Sequence, residues 1–166
     1  MVGKALHVQS VERIYDLKGR DENKPFIILI SKLQDLDTFL IDITDETRTK
    51  LEQIWPAQVS LVLPCPNDSL EYLHRGVKTL AIRMPDNQEL LELINKIGPL
   101  VAPSANPEGQ PPATTIKQAK EYFGDGVDFY VDGGEIESKP STLIDFTQDE
   151  PVILRQGVVK VTNLTI

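Results

Sequence analysis

With 166 residues, 40% of them hydrophobic and 25% charged, the chain is long enough for one domain that buries about two thirds of its surface without disulfide or metal staples. Its formal net charge of -8 opposes non-specific attraction to nucleic acid, so any cations that hold anions have to be concentrated locally. The single cysteine, Cys65, excludes an internal disulfide, no apolar run approaches the roughly 20 residues of a membrane span and no signal peptide is seen, so a cytoplasmic, membrane-free protein is expected.

Residues 1–6 read as neither a strand nor a capped helix. A first helix is expected after Ser10 as N-cap, with Val11, Ile14, Tyr15 and Leu17 on its apolar side and Gly19 as a left-handed stop. Lys18 to Pro25 is polar and rich in breakers, and Phe26 to Ile30 is a continuous apolar run, the pattern of a strand covered on both faces. Thr44 opens a second helix that buries Leu51, Ile54 and Trp55 and stops at Pro56. Val59 to Leu63 is the next strand. Leu70 to His74 predicts a short helix ending at Gly76, and Thr79 to Met84 a strand that delivers Arg83 at its end.

Asp86 with Glu89 resembles a capping box for the strongest helix, whose broad apolar face carries Leu90, Leu91, Leu93, Ile94 and Ile97. Beyond it, Thr115 with Gln118 caps a helix that runs to about Phe123, and Phe129-Tyr130-Val131 leads into a turn at Asp132-Gly133-Gly134. Ser141 to Phe146 and Val152 to Arg155 have no helix between them and predict an antiparallel pair. Helices and strands alternate early and strands cluster late. The fold class is therefore α/β, a single domain over 1–166 with a twisted mixed sheet flanked by helices and no internal repeat.

The segment Pro99 to Pro112 is the centre of the chemistry. Leu100 to Ala102 is apolar, a proline stops the run, and Ser104 and Asn106 follow in a loop of proline and glycine. Flanking one small residue, their side chains share one side of an extended backbone and offer a hydroxyl and an amide to phosphate or a sugar hydroxyl. The loop amide of Asn106 is expected to support little packing, so its replacement by alanine should weaken ligand binding and spare the fold. Other cations and hydroxyls stand where ordered elements end: Lys18, Arg20 and Lys24, Thr79 and Arg83, Ser141 and Thr142, and Arg155. Each has a structural alternative, such as Lys18 complementing a helix C-terminus or the arginines pairing with acidic residues. Neither His7 nor His74 lies in a motif, and no nucleophile-base pair is seen.

Five of these motifs occur in one order: Lys18-Gly-Arg20 with Lys24-Pro25, Thr79 to Pro85, Ala102-Pro-Ser104-Ala-Asn106 with Gly109, Ser141-Thr142-Leu-Ile-Asp145, and Leu154-Arg155-Gln-Gly157. The series, from about Val2 to Val158, resembles the YrdC family, and its intact Lys-x-Arg and Ser-x-Asn resemble the threonylcarbamoyl-AMP synthase branch. The resemblance implies a YrdC-like domain that forms threonylcarbamoyl-adenylate and pyrophosphate from L-threonine, bicarbonate and ATP, for tRNA threonylcarbamoyladenosine modification by further proteins.

By the same resemblance Lys18, Arg20, Lys24, Thr79, Ser104, Asn106 and Arg155 hold ATP, while Arg83 and Ser141 hold threonine. Arg155 is expected to reach the same cleft as Lys18 and Arg20. Mg2+ is expected with the nucleotide and no dedicated metal site in the protein. Relatives often carry histidine where this chain has Leu29.

Two alternatives stand beside this reading: a non-catalytic module that contacts tRNA or double-stranded RNA, and a carbamoyl-transfer domain. The resemblance also implies an upstream strand with a Pro-Thr-Asp-Thr-x-Tyr-Gly-Leu motif, and Val2-Gly3-Lys4 resembles the residues directly after it. The expectation is a sheet with an open edge, possible homodimers, and turnover impaired more than nucleotide binding.

Overall fold

A computed structural model describes residues 1–136, 139–148 and 150–161. The apolar runs form the inner strands β2 (Ile27–Leu29), β3 (Val59–Pro64) and β4 (Thr79–Arg83), and shorter segments add β1 (Gly3–Lys4), β5 (Leu100–Val101), β6 (Thr142–Asp145) and β7 (Val152–Arg155). They join in one seven-stranded sheet of order β1-β5-β2-β4-β3-β6-β7. The β2/β4 and β3/β6 pairs are parallel and the other four antiparallel, so the sheet is mixed, as the late clustering of strands predicts. Residues 1–6 do contribute a strand after all: Gly3 and Lys4 pair with Val101 and Leu100. Two residues are too few for a period-2 pattern, so nothing in that segment announces pairing.

Helix α1 (Val8–Lys18) begins earlier than a Ser10 cap would place it. His7 is the N-cap residue, and its ring nitrogen Nδ1 lies 2.9 Å from the Ser10 hydroxyl inside the first turn. Gly19, at φ 55°, ends the helix as expected. In α2 (Asp45–Ile54) the Thr44 side chain accepts from Thr47 N, which satisfies a free first-turn amide. The short α3 (Glu71–His74) ends at Arg75 rather than Gly76, with Arg75 itself at φ 50°. Its guanidinium stacks 4.0 Å from the Tyr15 ring centroid and pairs with Glu12, which offsets the strain of a left-handed arginine. In α4 (Gln88–Ile97) the cap is Asn87, whose side chain accepts from Leu90 N, and not Asp86. Helix α5 (Ile116–Phe123) starts at Thr115 and stops at Gly124, as predicted. Residues 129–131 form no strand; Phe129 and Val131 are 78% and 80% exposed.

Strand pleating then sorts the side chains onto two unlike faces. On one, Val101, Ile28, Ile82, Leu61 and Ile144 stand side by side across β5, β2, β4, β3 and β6. None is more than 1% exposed, and α1, α2, α3 and the 3-10 segment Leu33–Phe39 pack on them as the main core.

The opposite face carries Ala102, Ile27, Thr79, Ala81, Arg83 and Val62, all half-buried. Among the described residues only α4 covers it, at the β5/β2 end, where Ile94 sits on Leu29 and Leu100. The broad apolar face of α4 is therefore mostly peripheral: Ile94 alone is buried, and Leu93 and Ile97 are 42% and 39% exposed. Helical period identifies a face but not how much sheet lies beneath it.

Ile82 stands in the middle of the dry row with neighbours on both sides, so little can collapse into a hole there. Ile82→Ala should destabilise the protein by about 2–5 kcal/mol, read as a lower urea midpoint with an unchanged slope.

Candidate functional site

The half-open face carries two groups of polar side chains at opposite ends of the strands. Ile27 pairs with Ala81 and Ala102 N donates to Ile27 O, so the chain leaving β5 toward Ser104 lies at the Thr79 end of β4. Lys24 precedes β2 at that same end. Arg83 lies four residues along β4, roughly 13 Å away at the usual strand rise.

At the Thr79 end the cationic loop and the Ser-Asn loop are tied by one ammonium. The left-handed turn at Gly19 leaves Lys18 only 2% exposed. Its Nζ donates to Ser104 O at 2.7 Å, to Asn106 O, and to Asn106 Oδ1 at 3.3 Å, so three donors meet three acceptors. The expected shared side of Ser104 and Asn106 is present, and Ser104 Oγ donates to Asn106 Oδ1 at 2.6 Å.

Asn106 is more than a loop amide, however. Its Nδ2 donates to Pro107 O at 3.0 Å and Gln110 O at 2.6 Å, and the side chain builds the loop it stands in. Its replacement by alanine therefore removes loop structure along with any ligand contact.

Arg20 and Lys24 complete this corner. Arg20 Nε donates to Lys24 O at 3.1 Å, and its guanidinium lies 5.3 Å from the Phe26 ring centroid. Lys24 Nζ is 2.8 Å from Glu108 Oε1. Glu108 Oε2 accepts from Asp21 N at 2.7 Å, and Glu108 N donates to Lys18 O at 2.6 Å. Burial, and then the neighbouring Arg20 charge, push Lys18 down from its ordinary 10.5 to about 8, with Glu108 acting in the opposite direction. The hydrogen bond and charge of Glu108 push Lys24 up, and the Lys24 contact holds Glu108 below the usual carboxylate range.

The other end presents a row across four strands. Leu61 pairs with Ile82, so Ser60 stands opposite Arg83; Ser60 pairs with Leu143, and Leu143 with Arg155. The Ser60 and Ser141 hydroxyls are 2.8 Å apart and buried. Arg155 donates from Nε and Nη2 to Ser141 O at 3.2 and 3.0 Å. Arg83 donates from Nε to Ala57 O at 3.3 Å, and burial lowers its pKa. Among the described residues its terminal nitrogens make no hydrogen bond, so the fork is available to a ligand.

Gly157 lets this end close. A Cβ there would lie 2.1 Å from Pro140 O and 2.4 Å from Ser141 C, whereas glycine lets its amide reach Thr142 Oγ1 at 2.9 Å.

The nine residues expected from sequence thus surround one face but do not form one contact group. Lys18, Arg20, Lys24, Ser104 and Asn106 meet at one end, with Thr79 on the sheet at the same level. Arg83, Ser141 and Arg155 gather at the other. Arg155 stands on β7, with four strands between it and β5 in the sheet order, and among the described residues it makes no hydrogen bond with Lys18 or Arg20.

Leu29 is packed under α4 with Ile94 and Leu100. The buried His74 is structural: its ring bonds Asn67 O and Gly76 N, both at 3.1 Å. Sequence reasoning missed Ser60 and Glu108. A lone serine in the apolar run Val59 to Leu63 marks the first; an acid directly after Asn106-Pro107 marks the second only weakly. Among the described residues no three His, Cys, Asp or Glu side chains form a group able to hold a metal, and no helix is long and apolar enough to cross a membrane.

The chain thus folds as an α/β sheet with one dry face and one half-open face edged by cations. Comparison identifies the family: the profile of the Sua5/YciO/YrdC family, which carries the description Telomere recombination, matches residues 1–157, and the chain belongs to that family.

It is 36% identical over 155 residues to a threonylcarbamoyl-AMP synthase of Pyrococcus abyssi, covering 92% of this chain and 46% of that one. A protein of the same name from Nitrosococcus oceani is 36% identical over 125 residues, covering 75% and 68%. Among solved structures, P. abyssi Sua5 complexed with L-threonine superposes with a TM-score of 0.84 at 34% identity, over 94% of this chain and 46% of that one. The chain therefore spans just under half the length of the Pyrococcus proteins it matches.

The depressed Lys18 pKa carries a sign that can be tested. Between about 8 and its ordinary 10.5 the unfolded chain holds more protons at this residue than the fold does, so its contribution to stability should rise with pH across that window. Urea denaturation from pH 7 to 10.5 should show that rise in the wild type relative to Lys18→Met. Parallel profiles would mean that the ammonium is not desolvated.

Proposed function

We propose that the half-open face condenses ATP, L-threonine and bicarbonate into threonylcarbamoyl-adenylate with release of pyrophosphate. The reading is supported most directly by one observation: two cationic groups border a single sheet face, as a reaction between a polyphosphate and an amino-acid carboxylate requires in a chain of net charge -8. The names of the relatives support the same reading. Lys24, Arg20, Ser104 and Asn106, with Thr79 beside them, would take the nucleotide, and Lys18 would hold their loop. Arg83, whose terminal nitrogens are uncommitted, would grip the threonine carboxylate with its two-point fork, next to Ser60 and Ser141. Arg155 would face the nucleotide from the far side.

The chemistry balances without a protein nucleophile. The threonine amine forms an N–C bond to bicarbonate carbon with loss of water. An oxygen of the resulting carbamate then bonds to the α-phosphorus as the bond to the pyrophosphate leaving group breaks. The residues contribute position and charge stabilisation along that path.

The corner fits a magnesium ion carried by phosphates better than one held by the protein. Its carboxylates, Asp21 and Glu108, already accept from Asn23 N at 3.0 Å and Asp21 N at 2.7 Å. Such an ion would offset phosphate charge. The product would pass to further tRNA-modifying proteins.

Pyrophosphate release should require ATP, threonine and bicarbonate together, and ATP binding should be visible by calorimetry. Arg155→Lys keeps the charge but loses the planar fork on Ser141 O, so it should lower kcat/KM by about tenfold in a folded protein. ATP hydrolysis indifferent to threonine, or full activity in Arg155→Lys, would overturn the respective assignments.

A further inference from the structure

Glu108 is not one of the residues the resemblance assigns to a ligand, yet its carboxylate ties the Ser-Asn loop to the cationic loop. Its Oε1 takes Lys24 Nζ at 2.8 Å, its Oε2 takes Asp21 N at 2.7 Å, and its own amide reaches Lys18 O at 2.6 Å. A phosphate oxygen accepts from the same two kinds of donor, an ammonium and a backbone amide, at the same distances.

We propose that Glu108 is an intramolecular competitor that sets the affinity of this corner for phosphate. Its carboxylate occupies the donors that a polyphosphate would take, and binding exchanges one for the other. The proposal rests on the nucleotide reading above and adds a residue that reading does not contain.

The geometry allows the exchange. The Glu108 and Lys24 side chains are 38% and 53% exposed, so the carboxylate can swing into water while the backbone bond to Lys18 O holds the loop. An ion pair this exposed is weak, which makes it displaceable by a ligand of several charges. Arg20 also lies within charge range of Glu108 and would be released to the ligand by the same movement.

Calorimetry on the folded full chain tests this with ATP, inorganic tripolyphosphate and adenosine as probes. Glu108→Gln removes the charge and keeps an oxygen for Asp21 N. It should bind ATP and tripolyphosphate about two- to fivefold more tightly and adenosine unchanged. Lys24→Gln should cost more ATP affinity in the Glu108→Gln background than in the wild type, because there Lys24 has lost its 2.8 Å partner and keeps only the longer 3.6 Å pairing with Asp21. Glu108→Ala provides a second variant that also frees the Asp21 amide.

Unchanged or weaker polyphosphate binding in both Glu108 variants, or an equal gain for adenosine, overturns the proposal. If the wild type binds tripolyphosphate but not ATP, the nucleotide reading fails while the Glu108 exchange is still decided by the tripolyphosphate data. If it binds ATP and neither Glu108 variant changes the affinity, the exchange alone fails. Binding of neither overturns both.

Discussion

The row formed by Val101, Ile28, Ile82, Leu61 and Ile144 is the constraint on which the rest depends. Five strands each place one apolar side chain in it, and each is at most 1% exposed. Because side chains alternate across a strand, burying this row obliges the neighbours Ala102, Ile27, Ala81, Val62 and Asp145 to face the other way. Thr79 and Arg83 flank Leu80 and Ile82 on β4 and share that second face for the same reason. The position of the site is thus a consequence of register. A slip by one residue in β4 would bury Arg83 in the core and expose Ile82.

The second face stays half open because one helix cannot cover seven strands. α4 sits over Leu29 and Leu100, and the floor between there and β6 is small or short: Ala81, Val62, Thr79. Polar groups that would be costly inside a closed core are tolerated there, since water or a ligand can satisfy them. Ser60 marks the transition. Fully buried in a central strand, it is satisfied by the Ser141 hydroxyl, which Arg155 in turn approaches at 3.4 Å.

At the other end the organising contact is a buried ammonium. Removing Lys18 from water is unfavourable, and three oxygens of Ser104 and Asn106 compensate. That arrangement ties the end of α1 to the loop after β5 across 86 and 88 residues of sequence. Glu108 adds a second tie between the same two segments. The corner is therefore shaped before any ligand arrives, and its net charge is a balance of Lys18, Arg20 and Lys24 against Asp21 and Glu108.

Much of the fold was legible in the chain itself. The runs at Phe26, Val59 and Thr79 announced strands because each is a short, mainly apolar run bounded by proline or glycine. Gly19, Thr44, Thr115 and Gly124 announced helix ends because their caps are local hydrogen bonds or local φ values. The motif residues announced a family, and with it the expectation of an anion-binding site. Tertiary structure decided what local signals do not encode. The strand at Gly3–Lys4 exists only because β5 offers it partners. The apolar face of α4 remains half exposed because it lies at the margin of the sheet. Asn106 and Lys18 hold each other, rather than standing free, because the fold brings α1 beneath the Ser-Asn loop. The two ends of the site share a face because register across seven strands is a long-range property, set by the burial of a single row.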